Sequence, residues 1–173
     1  MAAVVDFRTI PFDALRVDAS GKDIGRKIYW KLYAVENVLR IIVHSVLAGQ
    51  IGPNWWSVAV SPGVQKQAQK WRSSYTRYTR RPWQGTPGTH DIYYTTLSDL
   101  NEIIRANSQL FLPIISDIDQ WIARIEQIRL PRNIVGHMNW PSRTDRQRID
   151  VFYSDLHALV KHLVLSGLSL AIP

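Results

Sequence analysis

Arg26-Lys27-Ile28-Tyr29-Trp30-Lys31-Leu32-Tyr33-Ala34-Val35-Glu36-Asn37-Val38-Leu39-Arg40-Ile41-Ile42-Val43-His44-Ser45-Val46-Leu47-Ala48 is the stretch that decides the fold. Ile28, Leu32, Val35, Leu39, Ile42 and Val46 recur at intervals of four, three, four, three and four. At 3.6 residues per turn this gathers them into one seam facing a single partner surface. The helix is expected to run to about Ala48 and to stop at Gly49. Three later stretches repeat the period. Leu97, Leu100, Ile103 and Ile104 follow Thr96, which with Asp99 approximates a capping box. Pro113 is expected to open the next helix at its first turn, with Ile114, Ile118, Trp121, Ile125 and Ile128 on one stripe, and Pro131 to interrupt it. A last helix from about Arg143 carries Ile149, Phe152, Leu156, Val160 and Leu163. The nearest strand-like run, Val58-Ala59-Val60, is too short to compete. The expected fold is all-α, an up-and-down bundle of four or five helices with a long connection after the first main helix.

With 173 residues the chain has the length of one domain, which buries roughly two-thirds of the surface its unfolded chain exposes. Residues 1–24 read as an irregular arm broken by Pro11 and Gly21, and 25–173 as a single helical domain. The absence of Cys excludes disulfides and thiolate metal sites. Met1 to Asp6 has no basic or strongly apolar leader region, and the most apolar run, Leu163 to Ile172, is too short to cross a bilayer. These features point to a soluble, cytoplasmic protein without a membrane partner. No cofactor or metal is implied: the histidines outside the motif described next do not form a ligand set, and no glycine-rich phosphate loop is present.

The net charge is +7, and its placement is one-sided. Between Glu36 and Asp91 there is no acid, while Arg40, Lys66, Lys70, Arg72, Arg77, Arg80 and Arg81 fall there. Those cations equal the whole excess and favour a polyanionic partner, RNA first. Trp71, Tyr75, Tyr78 and Trp83 are interleaved with the arginines of this segment, a composition suited to gripping single-stranded RNA. Trp71, Tyr75 and Tyr78 also have helical spacing and read as a buried stripe, and Trp55-Trp56 as a core plug under a loop.

Arg132-Asn133-Ile134-Val135-Gly136-His137 carries the chemistry. Cutting RNA without a metal requires an activated 2′-OH, stabilised phosphoryl oxygens and a protonated 5′-oxygen. His137 has the residue type for proton transfer near neutral pH, and Arg132 a permanent planar fork that matches phosphate oxygens. Asn133, four residues before His137, is placed to orient the imidazole or hold a substrate oxygen. On a regular helix, however, Arg132 and His137 stand roughly 140° apart. A kink at Pro131, the length of Arg, or a second copy of the chain across a twofold axis would bring them together. Gly136 suits close approach of another backbone or of RNA.

These residues resemble the HEPN (higher eukaryotes and prokaryotes nucleotide-binding) superfamily, and within it the Swt-type subgroup. The likeness lies in Glu36-Asn37-Val38-Leu39-Arg40 on the first helix, the Trp55-Trp56 pair after its loop and the closing Arg132-Asn133-x-x-x-His137, and it covers residues 26–165. It implies a homodimeric endoribonuclease, a toxin or antiphage effector, whose composite cleft takes Arg132 and His137 from both chains. Asn133 would supply the polar position after the Arg, and Glu36 and Arg40 supporting positions. As i and i+4 neighbours, Glu36 and Arg40 also suit a plain ion pair worth about 0.3–0.5 kcal/mol. Family members that continue His-x-Tyr are silenced by modification of the Tyr, but this chain reads His137-Met138-Asn139, so an antitoxin or operon partner would act otherwise. Other members are noncatalytic modules for RNA or partner binding and dimerisation.

Overall fold

The computed structural model describes residues 6–8, 11–76, 83 and 85–173. The fold is all-α, with no strand among the described residues. Asp13 caps α1 (Ala14–Ile24) by accepting the Leu15 N–H. A π turn, Gly25–Tyr29, then leads without a break into α2 (Trp30–Ile51). The short α3 (Trp55–Ala59) and the basic α4 (Pro62–Thr76) follow, then a 3₁₀ turn at Asp91–Tyr94. The chain continues through α5 (Leu97–Ala106), the single-turn α6 (Ser108–Phe111), α7 (Ile118–Gly136) and α8 (Arg143–Leu165).

Helices α2, α5, α7 and α8 form the bundle, each packing on two others in the cycle α2–α5–α7–α8. The seam read from the first helix is its core: Ile28, Leu32, Val35, Leu39, Ile42 and Val46 are all buried. Most of the stripes of α5, α7 and α8 are buried too, among them Leu100, Ile125, Ile149, Phe152 and Leu163, whereas Ile114, which precedes α7, and Val160 are only partly buried. Most of these residues join one cluster. Ile28, Leu32, Val135 and Ile149 form a smaller one, where the π turn meets the end of α7 and the start of α8. The long connection runs from α2 to α5 and carries α3 and α4. Trp55, fully buried, plugs the core beneath it.

Several boundaries differ from the sequence reading. Residues 14–24 are helical rather than an irregular arm; only Ser20 and Asp23 of α1 are buried, so no apolar stripe advertises the helix. Gly49 lies within α2, and the stop is Gly52 at φ 98°, a conformation that glycine tolerates and that precedes Pro53. Pro113 sits in a turn, and α7 begins at Ile118. Pro131 does not interrupt α7, which continues to Gly136 around the buried proline ring. Val58 and Ala59 are helical. Ala14–Ile51 as a whole is long and apolar enough to cross a membrane by length and composition, and exceeds Leu163 to Ile172 in this respect. Its seam packs in the bundle core.

Candidate functional site

One face of α2 and the C-terminal turn of α7 enclose a cleft of about 540 Å³. Tyr29, at the end of the π turn, and Tyr33, Glu36, Asn37 and Arg40 of α2 recur at helical spacing and form one wall. Arg132, Val135, Gly136 and Met138 form the other, and Pro87 and Tyr93 close one side.

An ion-pair network crosses the cleft. One oxygen of Glu36 accepts a hydrogen bond from Nε of Arg132, and the other lies 3.2 Å from a terminal nitrogen of Arg40. Glu36 and Arg40 are therefore more than a surface pair: their side chains are only 13% and 11% exposed, and Glu36 ties the first helix to the motif 96 positions later. Arg40 also donates to the Thr95 carbonyl at 2.9 Å and to Asn37 Oδ1 at 3.2 Å, while its Nε is buried without a partner. Burial pulls the Arg40 guanidinium below the usual arginine range; Glu36 opposes the shift, and Arg132 adds to it. Two guanidinium groups share one carboxylate, so the network carries one net positive charge into the cleft.

Arg132 is the more accessible arginine, with 31% of its side chain exposed. One terminal nitrogen lies 3.4 Å from Asn133 Oδ1, and among the described residues the other makes no hydrogen bond. A Cβ at Gly136 would come within 3.3 Å of the Arg132 guanidinium, so the glycine makes room for the arginine of its own helix.

His137 stands apart from this network. It caps α7, donating its backbone N–H to the Asn133 carbonyl at 2.9 Å. Its imidazole is exposed, forms no hydrogen bond among the described residues and is not part of the cleft wall, although Gly136 and Met138 on either side of it are. Neither a kink at Pro131 nor the Asn133 amide brings Arg132 and His137 together within one chain. The turn that carries His137 is fixed by two backbone bonds, Met138 N to Val135 O and Asn139 N to Ile134 O, both 2.9 Å. This closure holds Met138 at φ 59°, the one left-handed non-glycine residue among those described.

The sequence-predicted RNA surface is only partly described. Lys66 and Lys70 are exposed on α4, whereas Arg72 pairs with Asp91 at 2.7 Å. Arg77, Arg80 and Arg81 lie outside the described residues, as does Tyr78. The acids bounding the acid-free stretch thus each hold one of its cations: Glu36 takes Arg40, and Asp91 takes Arg72. Trp71 and Tyr75 are exposed instead of forming a buried stripe, because α4 turns Val64 and Ala68 inward.

Tyr29, Tyr33 and Tyr93 were not singled out from the sequence. The first two were within reach, since Tyr29, Tyr33, Glu36 and Arg40 recur at four, three and four on the flank of the apolar seam. No protein-family model, curated protein sequence or solved structure matches the chain.

Proposed function

We propose that the chain is a metal-independent endoribonuclease of the HEPN kind, acting as a homodimer in the manner of toxins and antiphage effectors. The observation that carries this reading is Arg132 itself. Glu36 and Asn133 engage two of its nitrogens, the third makes no hydrogen bond among the described residues, and the residue lines a cleft large enough for a nucleotide. Glu36 fixes the orientation of the fork, and the free nitrogen donates to a phosphoryl oxygen as negative charge gathers there. Arg40 acts behind it as a buried positive charge.

His137 supplies the proton chemistry. In one chain it lies between Gly136 and Met138 of the cleft wall with no side-chain hydrogen bond among the described residues, and a twofold-related copy would bring a second imidazole opposite. The 2′-oxygen loses its proton to one imidazole and attacks phosphorus, the P–O5′ bond breaks, and the 5′-oxygen takes a proton from an imidazolium. The products are a 2′,3′-cyclic phosphate and a 5′-OH. Any cognate antitoxin would act by covering the cleft.

Replacing His137 by Ala should abolish RNA cleavage and any toxicity on expression, with the fold retained, because the residue is exposed and its ring makes no hydrogen bond among the described residues. Cleavage at the wild-type rate in that variant, or loss of wild-type cleavage on adding EDTA, would sink the reading. A second reading draws on the same geometry: the Glu36 pair and the absence of His137 from the residues lining the cleft also suit a noncatalytic module that binds RNA or a partner protein. That reading predicts RNA binding without cleavage in the wild type.

A further inference from the structure

A second concave surface lies on the other side of the long helix, where the π turn packs against the start of α8. Its volume is about 520 Å³, and its wall includes Arg26, Lys27, Trp30, Lys31, Arg143 and Arg146. Among the described residues Asp150 is the one acid in that wall, and it is occupied by Lys31 at 2.5 Å. Lys27 pairs with Asp23 at 2.7 Å. Asp145, next to Thr144 on α8, is engaged by the Ser142 hydroxyl and backbone and by Arg148. Arg26, Arg143 and Arg146 make no ion pair among the described residues, and Arg146 lies 5.4 Å from the centre of the Trp140 ring. The two lysines are neutralised; the three arginines leave a local excess of positive charge from separate parts of the chain.

Trp30 adds a different property. Its indole N–H donates to the Arg26 carbonyl at 2.8 Å, and its ring meets Tyr153 edge-on at 5.0 Å. The ring is thus held in one orientation, yet 44% of the residue remains exposed. A fixed aromatic face beside unpaired guanidinium groups matches a strand that offers both phosphates and unstacked bases. A lipid surface fits less well, since the one aliphatic side chain of the wall, Ile28, is buried.

We propose that this groove is a binding track for single-stranded RNA, with Arg26, Arg143 and Arg146 on backbone phosphates and Trp30 stacked on a base. Trp30 follows Tyr29 of the cleft wall by one residue, so at that point the track and the cleft are separated by about 100° around the helix and about 1.5 Å along it. It would deliver RNA to Arg132 from a side of the molecule that the charge pattern of residues 66–81 does not mark. The assignment rests on the RNA-directed reading of the cleft, but binding tests it without cleavage.

The test measures the affinity of a labelled single-stranded oligouridine for the His137→Ala protein across a salt series. Adding Arg26→Ala, Arg143→Ala and Arg146→Ala together should lower affinity at least about tenfold. It should also reduce the slope of log K against log salt by about 2, as three lost phosphate contacts require on a single strand. Trp30→Ala should weaken binding by about fivefold or more with the slope unchanged, and Trp30→Phe should restore most of it. Circular dichroism would verify that each variant is folded. Unchanged affinity and slope in the triple variant, or no oligouridine binding by the parent, overturns the track. So does a triple variant that keeps RNA but loses anionic phosphatidylserine vesicles or an acidic protein, because the groove then serves another polyanion. If groove variants lose binding while the wild type never cleaves, the nuclease reading fails and the track stands. Normal binding by the groove variants of a protein whose wild type cleaves has the opposite meaning.

Discussion

The C-terminal ends of α7 and α8 close in the same way and are built from opposite materials. Each uses a pair of backbone bonds reaching three and five residues back: Met138 to Val135 and Asn139 to Ile134 in one, Gly167 to Val164 and Leu168 to Leu163 in the other. This geometry places one residue in the left-handed region, where an L side chain crowds the backbone. At the end of α8 that residue is Gly167, φ 89°, and Leu168 after it packs on the main core. At the end of α7 it is Met138, φ 59° and 76% exposed, lining the cleft beside His137. The α8 end serves the fold at no conformational cost. The α7 end accepts strain of about 1 kcal/mol where the candidate site lies, the usual location for such strain.

The comparison is broken most severely by removing what holds the α7 end to the rest of the molecule. Glu36→Ala leaves Arg40 nearly buried and Arg132 partly buried, both without their carboxylate. Breaking a fully buried pair costs about 3–5 kcal/mol; Arg132 is about one-third exposed, so about 2–3 kcal/mol is expected. Urea unfolding of Glu36→Ala and of the near-isosteric Glu36→Gln should show the loss in both, with the smaller loss in Gln because its carbonyl still accepts one hydrogen bond. A loss below about 0.5 kcal/mol in both would mean that the network is a surface feature and does not orient Arg132.

Acid should act on a different group of residues, between α2 and the 3₁₀ turn. His44 Nδ1 accepts the Trp55 indole N–H at 3.2 Å, and His90 Nδ1 accepts the Ile92 N–H at 3.1 Å. The two rings lie 5.5 Å apart, and His90 stacks on the buried Trp55. Burial lowers the pKa of both; for His90 the neighbouring His44 lowers it further, Arg72 adds a smaller push in the same direction, and Asp91 opposes. Histidines whose folded pKa is depressed contribute stability that is present above the unfolded value of about 6.5 and is lost as pH falls through the folded value. Stability should therefore decline below about pH 6.5, and His90→Asn should flatten that decline. An equally steep decline in His90→Asn would assign it to other groups.

Helical periodicity made the bundle legible because the apolar seams are the core: every seam residue named from Ile28 to Val46 is buried. Helix ends were less legible where a single residue stood as the signal. Gly49, Pro113 and Pro131 each have a local preference that packing overrode, as where α7 continues past a proline whose ring the core accepts. At the site, Glu36 and Arg40 were visible as neighbours one turn apart, but the reach of Glu36 to Arg132 depends on which faces of α2 and α7 meet. No local spacing encodes that. Met138 looked ordinary, since its strain follows from backbone bonds formed only when α7 terminates.

The two helix ends can finally be exchanged in kind. A Cβ at Gly167 would meet nothing within 4 Å, so Gly167→Ala isolates the conformational cost of the left-handed position, and about 1 kcal/mol of destabilisation is expected. Met138→Gly should do the reverse but by less. Relief of about 1 kcal/mol is offset in part by the extra freedom glycine gives the unfolded chain, about 0.5 kcal/mol, so a net gain of a few tenths is expected. The informative readout is the pair of stability and RNA cleavage measured on the same preparations. If Met138 is strained for the benefit of the cleft, the more stable Met138→Gly protein cleaves RNA more slowly, because the wall beside His137 has lost its side chain. A variant that is both more stable and fully active would mean that the strain at α7 serves no function and that the two helix ends differ only by sequence drift.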